Sequence, residues 1–388
     1  MLRFRGCVTL TAALAAALLT SAPAESQEMP GALELSGGIY LYHHQPVDVA
    51  GADDLTEVYA LYLDLDRTEG PWTLHVQGRW RDTKLRSFFP SNVWLQEAWV
   101  AYGAPLGGTA PDAAPAEVTL RAGKLYRRLG RFWDGSFFGN VHYFDGLKLD
   151  PEFGVEAALA IPLGSAGSQA ELYLQALLDS DRVNGALAGR DLEGEEGLEE
   201  DGLAGGLRVS APLAALDGRA LRATVGVSGL AERIEAPTEP ATPRTTLEHV
   251  AADVEVAWGE IGSFYVEWTR RASGGPGELE GLVAPSGAAA RDVAGSRATW
   301  WLAGAQARLG PLALRYNVST ADYDDGGFRE WIHQPGLTWH AARSVTFLVE
   351  YDDWRRRPHG PPPPSADEPA SRDLRLDRSL NAVLLLTF

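Results

Sequence analysis

The last nine residues, Leu380-Asn-Ala-Val-Leu-Leu-Leu-Thr-Phe388, constrain this chain more than any other stretch. Leu380, Ala382, Leu384, Leu386 and Phe388 share one side of a period-2 strand, and the sequence stops on the aromatic ring. An edge strand of a soluble protein rarely places an apolar ring beside a free carboxylate. A strand that faces lipid does, because its last ring sits at the membrane interface.

The same alternation recurs along the chain. Leu312, Leu314, Tyr316 and Val318 oppose Ala313, Arg315, Asn317 and Ser319, and Val250, Ala252, Val254, Val256 and Trp258 oppose Ala251, Asp253, Glu255 and Ala257. Trp72, Leu74, Val76 and Trp80 oppose Thr73, His75, Gln77, Arg79 and Arg81. One apolar parity against one polar or small parity is what a wall between lipid and water requires. The tail resembles the C-terminal signal of bacterial outer-membrane proteins. That likeness implies that Phe388 is the assembly signal read by the barrel assembly machinery.

The other end agrees. Arg3 and Arg5 precede an apolar run from Val8 to Leu19, and Ala22-Pro-Ala24 supplies a small-x-small cleavage pattern. The run is too short to span a bilayer as a helix, which takes ~20 residues. Residues 1–24 are therefore expected to be a cleaved signal peptide, with 25–388 the mature chain. Cys7 falls in the leader, so the exported product has no cysteine for a disulfide.

Composition excludes further classes. No other stretch is long and apolar enough for a membrane helix. The 52 acidic against 34 basic residues give a formal charge of −18, and losing Arg3 and Arg5 takes the mature chain to about −20. Nothing forms a basic patch, so nucleic acid is not a partner.

Strands are expected to begin near Ala32, Thr56, Pro71, Asn92, Val118, Tyr143, Ala170 and Gly202. They continue from Leu221, Leu247, Ser263, Arg297, Leu312, Trp331, Val345 and Leu374. Sixteen is an even count, which puts both termini on the periplasmic side. Short connections such as Asp217-Gly218 and Gly310-Pro311 alternate with long ones such as Ser180 to Asp201, with Gly103 to Glu117 as the exception. Leu147 to Ile161 contains Pro151 and Gly154 but keeps its parity without a slip. A turn would usually shift the phase, so this segment reads as one strand. The expected fold is an all-β, 16-stranded antiparallel transmembrane barrel with no plug domain. Its lumen is wide enough for water.

Those features together resemble an outer-membrane porin, trimeric or monomeric. Leu95-Gln-Glu-Ala-Trp-Val-Ala-Tyr102 followed by Leu120-Arg-Ala-Gly-Lys124 resembles the phosphate-selective porin O/P group, and the resemblance is specific over Leu95 to Lys148. It implies a third outer loop, residues 125–142, that folds inward and narrows the pore. The dense lysine ladder on which phosphate selectivity in that group depends is not evident here, so a general porin is the expectation.

That loop holds Arg127, Arg128, Arg131 and Asp134 among Phe132, Trp133, Phe137 and Phe138. Folding it into the lumen would bury the rings and set the charges at a constriction; a loop capping the rim or touching a neighbouring subunit is the alternative. Parity adds pore-lining bases Arg79, Arg81, Arg121, Arg208, Arg222 and Arg315, and acids Asp64, Asp150, Glu152, Asp253, Glu255, Glu267 and Glu350. Across the pore, Glu267 or Glu350 would face the loop arginines.

No metal or cofactor is expected. Asp322-Tyr-Asp-Asp-Gly326 opens like a calcium loop, but His333 stands where the bidentate Glu is needed. His43-His44 lacks a thiol or a helical His partner. The acidic run Asp191 to Asp201 reads as a solvated loop, with divalent-cation bridging to lipopolysaccharide as its functional alternative. Passive diffusion of small hydrophilic solutes through an outer-membrane channel is the leading function. An alginate-type polysaccharide export barrel is second, kept open by the inward arginines. A barrel enzyme is third, since serines and histidines are sparse and form no local motif.

Overall fold

A computed structural model describes residues 33–47, 55–80, 93–107, 114–131, 152–164, 167–177, 199–216, 219–235, 245–273, 297–323, 328–358 and 374–388. The leader, Arg81, Asp134, Asp150, Pro151 and the acidic run before Glu199 lie outside them.

Sixteen strands follow one another. They are β1 (Leu33–Pro46), β2 (Leu55–Glu69), β3 (Trp72–Trp80), β4 (Val93–Leu106), β5 (Ala116–Leu125), β6 (Glu152–Leu163), β7 (Ser168–Leu177) and β8 (Glu199–Leu216). Then come β9 (Arg219–Glu235), β10 (Thr245–Trp258), β11 (Gly262–Ser273), β12 (Ala298–Leu309), β13 (Leu312–Tyr323), β14 (Phe328–Ala342), β15 (Val345–Pro358) and β16 (Leu374–Thr387). Each pairs antiparallel with its sequence neighbours, and β1 closes on β16. Closure leaves no unpaired edge, which a bilayer would penalise by several kcal/mol per exposed backbone group.

Register places the parities as the sequence alternation requires. Leu74, Val100, Leu120, Val155, Leu172, Val254 and Leu314 are exposed on the outside, while Glu156, Gln175, Asp253, Glu267, Asn317 and Glu350 on the opposite parity are buried. A band of outward apolar side chains around a closed sheet is a membrane-spanning wall. At the end carrying the short turns, Trp72 packs edge-on against Tyr102 with ring centroids 4.9 Å apart, and Trp339 stacks on Phe347 at 5.5 Å. The amphipathic rings of Trp72, Tyr102 and Trp339 mark the interface on that side.

Phe388 closes the barrel there. Its N–H donates to the Gly37 carbonyl and its own carbonyl accepts from the Gly37 N–H, both at 3.1 Å. A Cβ on Gly37 would come within 2.8 Å of the Phe388 ring, so glycine is what lets the ring lie flat on β1. The long connection on this side is shorter than the sequence suggests, because β4 and β5 continue to the Leu106/Ala116 pair. β5 and β6 are direct neighbours, so no further strand lies between them in the wall.

Candidate functional site

Beyond Leu125, the chain leaves the wall. Residues Tyr126 to Arg131 lie against the inward-facing side chains of β7 to β11. The first hold is on β7, where fully buried Gln175 accepts the Arg128 N–H (3.1 Å) and donates its own amide to the Tyr126 carbonyl (2.8 Å). One side-chain amide thus substitutes for a strand partner on both sides of Arg127. Tyr173 donates to the Arg128 carbonyl at 3.3 Å and lies 3.9 Å beneath its guanidinium.

The next holds are on β8 and β9. The Gly130 carbonyl accepts from Arg208 at 3.2 Å, and the Gly130 N–H donates to Ser228 Oγ at 2.7 Å. Buried Leu129 sits among Leu177, Ala204, Leu230 and Ala251, which fixes the segment by apolar contact as well. Finally, the Arg131 N–H donates to Glu267 on β11 at 2.5 Å, and Thr269 donates to the other Glu267 oxygen at 3.2 Å. Gly130 has φ +61°, and a Cβ there would stand 2.6 Å from the Glu267 carboxylate carbon. Only glycine passes this point without displacing the acid.

The arginines are paired at close range. Arg127 forms an ion pair with Glu152, and Arg128 pairs with Glu171 at 2.9 Å and Glu156 at 3.5 Å. Arg131 pairs with Glu255 at 3.1 Å and lies 3.7 Å over the Tyr265 ring. Their neighbours on the wall follow suit: Arg121 with Glu156 at 3.1 Å, Arg208 with Asp253, and Arg315 with Glu350 at 3.3 Å. Arg79 donates to Gln77, which donates to Asp64, and Arg222 donates to the Gly167 carbonyl beside a turn.

The expectation set Glu267 or Glu350 across the pore from the loop arginines; Glu267 does meet this segment, at the Arg131 N–H, while nearer acids pair with the guanidinium groups. The Arg127 side chain is only 3% exposed, and its partner is on the next strand. Glu267 holds a backbone amide, and Glu350 belongs to a separate pair with Arg315. Burying an ion costs several kcal/mol unless an opposite charge and hydrogen bonds compensate, so proximity wins over a distant partner.

Parity pointed to Glu152, Glu255 and Glu267 but not to Glu171, Gln175, Tyr173 or Tyr265, and it gave Ser228 a side but no role, because it gives a side and not a depth. Of the His pair, His44 is held locally: its Nδ1 lies 2.7 Å from Asn381 Oδ1. Among the described residues, no group of three or more His, Cys, Asp or Glu could hold a metal.

No family model matches the sequence, and no curated protein does. Solved structures do. The outer membrane channel DcaP of Acinetobacter baumannii aligns over 92% of this chain and 98% of its own, at 12% identity and a TM-score of 0.53. The fold is that of the outer-membrane porins. The anion-selective porin from Comamonas acidovorans covers 92% and 100% at 10% identity and 0.53. The trimer form of OmpT, an outer membrane protein of Vibrio cholerae, covers 93% and 99% at 10% and 0.53.

Proposed function

We propose that the protein is an outer-membrane porin: a water-filled channel for passive diffusion of small hydrophilic solutes or ions, narrowed by the third outer loop. The carrying observation is the course of Tyr126 to Arg131 along the inner faces of β7 to β11. Sixteen strands leave a lumen that side chains alone do not fill, so an inserted segment is what sets its width. The neighbours whose fold the chain shares include a channel and an anion-selective porin. Assembly as a homotrimer is part of the same reading, prompted by the trimeric neighbour.

The pairing of the arginines bears on the alternatives. A polyuronate exporter needs cationic side chains turned to the solute, whereas Arg121, Arg127, Arg128, Arg131, Arg208 and Arg315 each meet a wall carboxylate. The same fact argues for a general channel over a phosphate-selective one.

The test is single-channel conductance and reversal potential in asymmetric KCl, for wild type and for Arg127→Ala/Arg128→Ala/Arg131→Ala. Losing three cations leaves Glu152, Glu171 and Glu255 without these partners, so selectivity should shift toward cations while conductance rises. If neither quantity changes, the loop does not line the conducting path.

A further inference from the structure

The outer surface of β13 to β15, at the end opposite the short turns, carries charged side chains where the middle of the wall is apolar. Register aligns Asp322, Arg329 and Arg357 in one row across the three strands, and Thr320, Trp331 and Arg355 in the row below. All six share the parity of the outward-exposed Leu314, Tyr316, Leu337 and Val349. Thr320, Arg329, Trp331 and Arg357 line a cleft of about 350 Å³. Arg357 lies 5.5 Å over the Trp331 ring, and Arg329 donates through Nε to Asp322 at 2.9 Å.

Two like charges directly opposite on neighbouring strands destabilise a sheet. Arg329 and Arg357 are such a pair, on the face where the wall meets the membrane; Asp322 offsets one of the two charges through its ion pair with Arg329, and Trp331 lies under the other. Including Arg378 on β16, whose Nε donates to the Tyr351 hydroxyl, the described outward side chains here number four arginines against two aspartates, Asp322 and Asp353. Guanidinium forks match phosphate oxygens bidentately, and an indole belongs at headgroup depth.

We infer that this cleft binds the phosphorylated headgroup of an outer-leaflet glycolipid, with Arg329 and Arg357 clamping the phosphate and Trp331 packing against the adjoining sugar or acyl linkage. The site rests on the membrane-spanning orientation of the barrel and not on the channel reading, so conductance of the variants stays at the wild-type value.

Each basic side chain near an anionic membrane surface adds on the order of fivefold in affinity. Diphosphoryl lipid A should therefore bind the full-length barrel, purified in a neutral detergent, about 25-fold more tightly than it binds Arg329→Gln/Arg357→Gln, as read by native mass spectrometry. Asp322→Asn should bind more tightly than wild type, because its carboxylate competes with phosphate for Arg329. Arg329→Lys/Arg357→Lys, which keeps both charges, should retain most of the affinity and shows that the site tolerates substitution. Arg270→Gln on outward β11 should match wild type.

Equal binding by wild type and the double Gln variant overturns the proposal, as does equal binding of phosphatidylcholine. Full displacement by millimolar inorganic phosphate would make this a free-anion site and overturns the lipid assignment. A changed oligomer mass with unchanged lipid binding would make the patch a subunit contact and overturns it too.

Discussion

Two stretches of inner wall are organised in opposite ways. Across β7 to β11, the wall holds Tyr126 to Arg131 by directed bonds from Gln175, Ser228, Arg208 and Glu267, with ion pairs around them. Across β12 to β15, inward Trp300, Tyr323, Ile332 and Trp354 form an apolar cluster with Ala298 and Ala321. Trp300 meets Tyr323 edge-on at 6.0 Å, with Arg271 lying 5.2 Å over its ring. Even here buried Glu330 is satisfied, accepting from Trp354 Nε1 at 3.3 Å and from Arg356 Nε at 2.6 Å. Apolar packing is strong but non-directional, whereas hydrogen bonds are modest but fix position. The first region therefore holds Tyr126 to Arg131 in place, and the second is where truncating a side chain should cost the most stability.

Trp300→Ala tests the second half of that division and carries the largest expected effect. The side chain is fully buried, and truncating such an aromatic costs about 3–5 kcal/mol. Urea unfolding in lipid vesicles should show that loss, with the reversal potential unchanged. A shifted reversal potential would merge the two regions into one.

Gly130→Ala strikes the polar region where there is least room. The methyl group would meet the Glu267 carboxylate, and the left-handed backbone adds strain of about 1–3 kcal/mol. The loop should come away from β11, raising conductance while costing less unfolding stability than Trp300→Ala. Wild-type conductance in this variant would mean that the Glu267 contact does not position the loop.

Glu267→Gln is the finest probe. It keeps an acceptor for the Arg131 N–H but removes the charge, which makes hydrogen bonds roughly twice as strong. Pore size should hold, with a small shift toward anions and a stability loss of about 1 kcal/mol. A conductance rise as large as that of Gly130→Ala would show that charge, and not shape, holds the segment.

Much of the barrel was legible beforehand. Fifteen of the sixteen strand starts lie within three residues of the expected positions, and Phe388 pairs at the rim that its place on the last strand implies. The expected start near Tyr143 falls outside the described residues, where β6 is described from Glu152. Strand ends were harder. β5 starts at Ala116 and β14 at Phe328, because backbone pairing runs on past the residues whose side chains alternate cleanly. β4 also carries an extra residue opposite Gln77/Gly78, a bulge that re-phases the strand. Of the site, the arginines of the loop were legible as unusual, and Glu152 and Glu255 as inward acids, but not which arginine each acid meets.

The sequence by itself determined the alternation, and with it the sidedness of each wall residue, the strand count and the end at which the short turns gather. Those follow from a local rule, since neighbouring residues on an extended chain must point opposite ways. Only the tertiary structure decided that Gln175 and Ser228 catch the loop, that Glu267 sits under Gly130, and that Arg329 opposes Arg357. Such pairings depend on strand register and on the route of a chain that leaves the sheet, and no periodicity encodes either. A buried charge settles on the nearest opposite charge, and nearness is a property of the closed barrel.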